Sequence, residues 1–394
     1  VLEFRDLSKH MPSPKVFSDV VSQPEAVSEL LRSMEQSKSD IHHAWLFTGP
    51  PGSGRSQIAL AFAAALLCLD SGCSNCNICE MIRVGNHPDV LVLNTERVQI
   101  SIDEVTEFIE KSIHMPAIGK YRIMIIEDAD RMTERTSNLL LKSLEEPPRG
   151  TIWMLCAPSE ADLIPTIRSR VRRIQLKVPT VESVAQLLVD KYGIGLDLAQ
   201  QSAAQAQSHV GMARRLASNA GARDRRTQAL QAVLGITDIP SAMKSAEVLS
   251  KLAESDGAQL TSEQDEFERK ELLSRLGVSE DSKLNPSSRS QLKKLEDSQK
   301  RRATRSKRDG LDRILVDLMG LYRDVLTVQL AVREPLINVD LVAEVQKLAQ
   351  ETTQAQSIHS IEQIEKVRYR MERNVREELL LFSLTVSLRR KASK

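Results

Sequence analysis

The sequence predicts an α/β domain built on a mostly parallel sheet, followed by an all-α region. Three observations carry this expectation. Short apolar runs alternate with helical patterns from Phe17 to about Gln175. A Gly/Pro turn follows the first apolar run directly and opens an Ala-rich helix. After Pro179 the strand signals stop and only helical spacing continues.

The elements follow in order. His43-Ala44-Trp45-Leu46-Phe47 reads as the first strand, and Asp89-Val90-Leu91-Val92-Leu93 as the second. Tyr121 to Ile126 is the third, Thr151 to Leu155 the fourth and Arg173 to Leu176 a short fifth. Each but the last precedes a plausible helix, which implies helices on both faces of the sheet. Val181 to Tyr192, Leu196 to Ser208 and Gly211 to Asn219 read as short helices. Leu311 to Val332 and Ile361 to Leu388 carry apolar residues at helical spacing. Between them and the short helices, Glu254 to Asp309 is rich in Ser, Glu, Lys and Arg, with Phe267 its one aromatic residue. It reads as an insertion of solvated helices with a flexible stretch near Asn285-Pro286-Ser287-Ser288.

Composition narrows the function classes. At 394 residues the chain should hold two to four domains. Hydrophobic residues at 41% and charged residues at 27% exclude full-length disorder and a disulfide-knotted miniprotein. Lys plus Arg total 54 and Asp plus Glu 53, which argues against a uniformly basic DNA coat. Aromatic residues at 3% argue against base stacking as the main activity. The longest apolar stretch, Ile58 to Leu69, is too short to span a membrane, and Val1 to Lys9 lacks an apolar signal core. A cytoplasmic protein is expected.

Five motifs bear on chemistry. Gly49-Pro50-Pro51-Gly52-Ser53-Gly54-Arg55-Ser56 lies between a strand and a helix, as a phosphate-binding loop requires. Its glycines let backbone N–H groups face phosphate, the helix N-terminus adds positive potential, and Ser56 can ligate Mg2+. Position 55 usually carries Lys; Arg is longer and forked, and the exchange is not conservative. A structural glycine turn is the alternative. Ile125-Ile126-Glu127-Asp128-Ala129-Asp130 ends a strand in acids, where a nucleotide-hydrolysing sheet holds Mg2+ and orients water. The usual order is Asp then Glu; here it is reversed, which weakens catalysis more than binding. A solvated acidic strand end is the plainer reading.

Cys68, Cys73, Cys76 and Cys79 can close a tetrahedral sulfur site, which suits structural Zn2+. An iron–sulfur run of this kind would continue with Cys-x3-Cys-Pro, whereas the chain continues Glu80-Met81-Ile82. Free thiols are the remaining alternative. Cys156, on a core strand, reads as a buried small hydrophobe. Last, Asn138 to Pro148, a helix stopped by a proline pair, and Arg168-Ser169-Arg170-Val171, entering the last strand, are weak signals taken singly.

Together these motifs resemble the clamp-loader subunits of bacterial DNA polymerase III, within the AAA+ ATPases. The resemblance covers roughly Val16 to Asn219. It includes Val16-Phe17, Val21-x-Gln23, His43 to Pro50, the four-cysteine insert, Asn86-His87-Pro88-Asp89, Leu141 to Pro148 and Ser169-Arg170. It implies an AAA+ core over 1–178 with a zinc insert at 68–79, a helical lid over 179–222, and a helical collar over 223–394 with the charged insertion at about 254–309. Arg55, Glu127-Asp128 and Ala157-Pro158 depart from the motor subunits, which carry Lys, Asp-Glu and a strand-end Thr. Those departures are most similar to the delta-prime, or stator, branch. The insertion before Gly310 and Leu321-Tyr322-Arg323-Asp324-Val325-Leu326 look like its actinobacterial versions.

The resemblance further implies a degenerate nucleotide site that holds ATP or ADP with Mg2+ through Gly49, Gly52, Ser53, Gly54, Arg55, Ser56, Glu127, Asp128 and Arg214. Arg170 would act as a trans arginine finger on a neighbouring subunit's ATP. Val171 stands where the family has Cys, and the spacing of Cys68 to Cys73 is shorter than usual. The implied partners are the other subunits of a five-membered ring, the sliding clamp and primer–template DNA. Polymerase activity would belong to the complex. The alternative is a working ATPase, either a motor subunit or a related AAA+ protein.

One run remains. Lys300 to Arg308 has six basic residues in nine. It reads as a solvated face paired with acids such as Glu296 and Asp297, or as a phosphate contact.

Overall fold

A five-stranded parallel sheet organises the first part of the chain in the computed structural model, which describes residues 14–36, 41–95, 97–276, 286–372 and 375–390. The first unit runs through Gly193 and takes in Ser208–Gly211. Its elements are α1 (Pro24–Gln36), β1 (Ala44–Thr48), α2 (Arg55–Leu67), α3 (Asn77–Arg83), β2 (Val90–Leu93), α4 (Ile102–Ser112), β3 (Arg122–Ile126), α5 (Glu134–Glu145), β4 (Thr151–Ala157), α6 (Pro165–Arg168), β5 (Arg172–Gln175) and α7 (Val181–Tyr192). The strand order is β2-β3-β4-β1-β5, with every pair parallel. All five strands expected from the sequence are present, shifted by a residue or two at their ends.

Burial explains why they were legible. The three central strands are buried throughout, so they read as unbroken apolar runs. Alternate residues supply two cores. Trp45, Phe47, Ile123, Ile125 and Met154 face one side with α2. Leu46, Met124, Ile126, Trp153 and Leu155 face the other with α4 and α5. The helix α2 is buried on nearly all sides, which accounts for its Ala-rich composition.

The second unit comprises Ile194–Gln207 and the chain from Met212 onward. It is helical: α8 (Leu196–Gln205), α9 (Val210–Ser218), α10 (Ala220–Leu234), α11 (Ile239–Leu276), α12 (Pro286–Gln329), α13 (Val342–Glu351), α14 (Gln354–Glu372) and α15 (Glu377–Ser387). The first two residues of α9 fall in the first unit. Leu249, Leu315, Leu318, Val325, Ile364 and Leu384 are among the fully buried residues of its core. The stretch Ile361 to Leu388, read as one helical pattern, is divided between α14 and α15.

The charged insertion is helical, and it is continuous with the core helices. The helix α12 runs through Gly310 without a break. A Cβ at Gly310 would lie 3.0 Å from the Ala253 carbonyl, so the glycine permits close packing of α11 on α12. The two helices run antiparallel: Gly257 meets Ser306, Asp265 meets Arg302, and Arg269 meets Glu296. The shared apolar core stops at Ala253 and Leu311, and beyond them polar pairs lace the arm. Of the stretch expected to be flexible, Asn285 lies outside the described residues, whereas Pro286, Ser287 and Ser288 open α12 and are helical, because a proline is tolerated in the first turn.

Four of the six basic residues of the run are engaged within the second unit, three of them inside this helix pair. Arg302 donates to Asp265 at 2.6 Å and to Glu268 at 2.9 Å. Arg305 pairs with Asp309 at 3.6 Å, Lys307 reaches Glu254 at 4.0 Å, and Arg308 donates to the Met371 carbonyl. The partners named from sequence, Glu296 and Asp297, are corrected here: Glu296 pairs with Arg269. Antiparallel register, which no local pattern reveals, decides the pairing.

Candidate functional site

The glycine-rich loop joins β1 to the N-terminus of α2. Gly52 and Gly54 sit at φ +84° and +90°, in the left-handed region that favours glycine. A Cβ at Gly49 would clash with Ser53 Oγ at 2.6 Å and Leu176 Cβ at 2.9 Å. One at Gly52 would meet His209 at 2.5 Å. The Gly49 N–H donates to the Pro158 carbonyl, fixing the loop to the end of β4. The Ser53 hydroxyl is buried and makes no hydrogen bond. Gln23 buttresses the loop from below: its amide exchanges hydrogen bonds with the Lys177 backbone at 2.7 and 2.9 Å. It also donates to the Ser53 carbonyl at 3.4 Å. Only its place in a motif, Val21-x-Gln23, singled it out beforehand.

Arg55 does not extend into open space. Its Nη1 donates to the Gly49 carbonyl at 2.9 Å, and its Nη2 lies 3.9 Å from Asp128 Oδ1. The guanidinium thus bridges the loop and the acid pair. Asp128 adopts φ +51° and is also approached by Arg131 at 3.4 Å. Glu127 points elsewhere, accepting from Asn94 Nδ2 at 2.9 Å. Burial, and then the Asp128 charge, push the Asp130 carboxyl above its ordinary range. Cys156 is buried beside this group; burial and then the Glu127 charge push its thiol up. Ala157, fully buried, offers no polar side chain at the strand end. Arg214 lies on α9 in the second unit.

Arg170 follows α6. Its Nη1 donates to the Thr166 carbonyl at 2.8 Å and to Ser169 Oγ at 3.1 Å, and its Nη2 pairs with Glu145. Two weak sequence signals are therefore one structural feature: the acid closing α5 holds the arginine after α6.

The four cysteine sulfurs all lie within 4.8 Å of one another. Cys68 Sγ is 3.7 Å from both Cys73 Sγ and Cys76 Sγ. A tetrahedral zinc with bonds of about 2.3 Å sets sulfurs about 3.8 Å apart, so this group can hold a metal. Cys68 caps the C-terminus of α2 and Cys76 the N-terminus of α3. Gly72, at φ +97°, passes beneath Val16, whose Cγ2 would lie 2.5 Å from an added Cβ. Burial opposes ionisation of Cys68, but the backbone N–H groups of Cys73, Gly72 and Asp70 prevail and bring its pKa to about 6. Burial, then the neighbouring Cys76 and Cys68 thiols, push Cys79 up.

Asp89 closes the motif Asn86-His87-Pro88-Asp89, whose local pattern carries no sign of its role. It is fully buried and accepts from the N–H groups of Ala117, Ile118 and Gly119 at 2.5, 2.8 and 2.7 Å. Burial opposes its charge, yet those three donors bring its pKa below the usual value.

The family model described as "DNA polymerase III, delta subunit" matches residues 22–180. That described as "DNA polymerase III, delta subunit, C terminal" matches residues 267–389, starting inside the charged arm. "DNA polymerase III subunit delta'" of Pseudomonas aeruginosa is 33% identical over 159 residues, covering 38% of this chain and 48% of the relative. Its Bacillus subtilis counterpart is 30% identical over 172 residues, covering 43% of this chain and 52% of the relative. "DNA polymerase III subunit tau/gamma" of Haemophilus influenzae is 29% identical over 179 residues, covering 44% of this chain and 26% of the relative. The chain thus spans about a quarter to a half of the curated relatives named here. With delta-subunit models matching stretches in both of its units, the chain belongs to the DNA polymerase III delta-subunit family.

Proposed function

We propose that this chain is the delta-prime, stator-type subunit of a DNA polymerase III clamp loader, acting in the cytoplasm on the loading of a sliding clamp onto primed DNA. Its partners are then the other subunits of a five-membered ring, the clamp and primer–template DNA. Core, lid and collar divide as 1–178, 179–222 and 223–394. Among the described residues no helix is long and apolar enough to cross a membrane.

The observation that carries the reading is the engagement of Arg55 by the Gly49 carbonyl and Asp128. A loop cation held by its own chain must be released before it can serve phosphate. The orphaned Ser53 hydroxyl and the glycine cradle support retained binding of ATP or ADP with Mg2+ through Gly49 to Ser56, Glu127 and Asp128, with Arg214 contributing from the lid. The reversed acid pair and Ala157 support weak or absent hydrolysis. The four-cysteine group suits structural Zn2+: four thiolates leave no open position for substrate. The test is ATP binding and steady-state turnover by the isolated chain. Negligible turnover is expected; turnover matching a motor subunit and lost in Arg55→Ala would overturn the stator reading.

Arg170 serves a neighbouring subunit's γ-phosphate in this reading, and swings off Glu145 to do so. A finger is worth about 10³–10⁵ in kcat where it acts alone. Arg170→Ala should leave assembly intact and lower the DNA-dependent ATPase of the loader in part, because other sites in the ring keep their own fingers. An unchanged ATPase would refute the role.

A further inference from the structure

The distal arm separates its charges by helix. Residues 286–308 of α12 contain nine basic and two acidic side chains. The acids of α11 are largely consumed: Asp265 and Glu268 hold Arg302, while Glu266 and Glu271 pair along their own helix with Lys270 and Arg275. With Arg302, Arg305, Lys307 and Arg308 paired and Arg289 also engaged, four exposed cations are left on α12: Lys293, Lys294, Lys300 and Arg301. Among the described residues none of the four has an acidic partner.

Their spacing is regular. Lys293 and Lys300 are seven residues apart, as are Lys294 and Arg301, so each pair shares nearly one azimuth and the two rows lie side by side. Seven residues rise about 10 Å, close to the rise of three phosphates along one DNA strand at about 3.4 Å each. No large apolar side chain of this stretch is exposed, so it lacks the apolar anchor a protein partner would use. No aromatic residue is present to stack an unpaired base.

We propose that this outward face of α12 binds the phosphate backbone of double-stranded DNA without reading its sequence. Cations on a rigid helix displace condensed counterions, so the contact is sequence-blind and salt-sensitive. The inference goes beyond the stator reading, which assigns the arm no part.

The experiment uses the full chain with a fluorescent 20-bp duplex and anisotropy read from about 50 to 200 mM salt. The variant is Lys293→Gln, Lys294→Gln, Lys300→Gln and Arg301→Gln together, since Gln keeps helix propensity. Affinity should fall, and the slope of log K against log salt should flatten by about 3–4, near 0.9 per cation. Unchanged affinity and slope, with the helical circular dichroism retained, would overturn the proposal. So would wild-type binding to polyglutamate as tight as to the duplex, with both lost in the variant, because that marks a generic polyanion face. If circular dichroism shows the fourfold variant unfolded, the pairs Lys293→Gln/Lys300→Gln and Lys294→Gln/Arg301→Gln are read instead, each expected to flatten the slope by about 2. ATP turnover is measured separately: turnover would sink the stator reading and leave this one standing.

Discussion

The two ends of α2 are finished in opposite ways. At its N-terminus the loop closes on itself, with left-handed glycines and a guanidinium shared between Gly49 and Asp128. At its C-terminus Cys68 joins three further thiols that have little to offer one another. Thiols are weak donors and weak acceptors, so without a cation they cannot hold their chain segments together. One end of the helix is tied by its own chain, while the other gathers a group that could hold a metal.

The sharpest break should come at the cysteine end. Chelation, or Cys76→Ser, should remove one zinc per chain and cost several kcal/mol, on the order of 10 °C in melting temperature for a unit of this size. Metal analysis paired with thermal melts checks this. Iron with visible absorbance, or no metal at all, would reject it.

A somewhat smaller loss is expected at Asp89, which serves as a cap with no metal. Asp89→Ala orphans the N–H groups of Ala117, Ile118 and Gly119 and should cost about 3–5 kcal/mol. Its pKa is lowered on folding, so the stability it supplies is complete above the unfolded value, near 4, and is lost as pH falls through the folded value. Urea titrations should therefore show wild type and variant converging in acid. A gap that stays constant down to the lowest workable pH would show that the carboxylate charge is not the cause.

The mildest effect should come at the loop end. Arg55→Lys removes the forked bridge and restores a compact cation, changing stability little while tightening Mg-ATP binding. Calorimetry reads the result directly. Weaker binding in the variant would mean that Arg55 itself holds phosphate.

How much of this was visible in sequence depended on distance along the chain. The strands were legible because burial on both faces leaves unbroken apolar runs such as Ile123 to Ile126. The cysteines and the glycine loop were legible because their ligands sit within a dozen residues. The partners of Arg302 lie 37 and 34 residues away on an antiparallel helix, and pairing there follows register. The joining of Glu145 to Arg170 was hidden for the same reason, as was the span of Gln23 to Lys177. Gly310 sits inside a helix it would ordinarily weaken, and what favours it there, the close approach of Ala253, is likewise distant in sequence.

Gly52 has a consequence for mutational tolerance. It is part of an accessible loop, where replacement is ordinarily cheap, yet its φ is +84° and His209 occupies the only space a side chain could take. His209 belongs to the short segment Ser208–Gly211, which rejoins the first unit after the chain has left it. A saturation library at Gly52 should therefore behave like one at the buried Trp153. Its variants would eject a returning segment rather than crowd a core, so their signature would be new protease cleavage near residue 209 in a protein that otherwise stays folded.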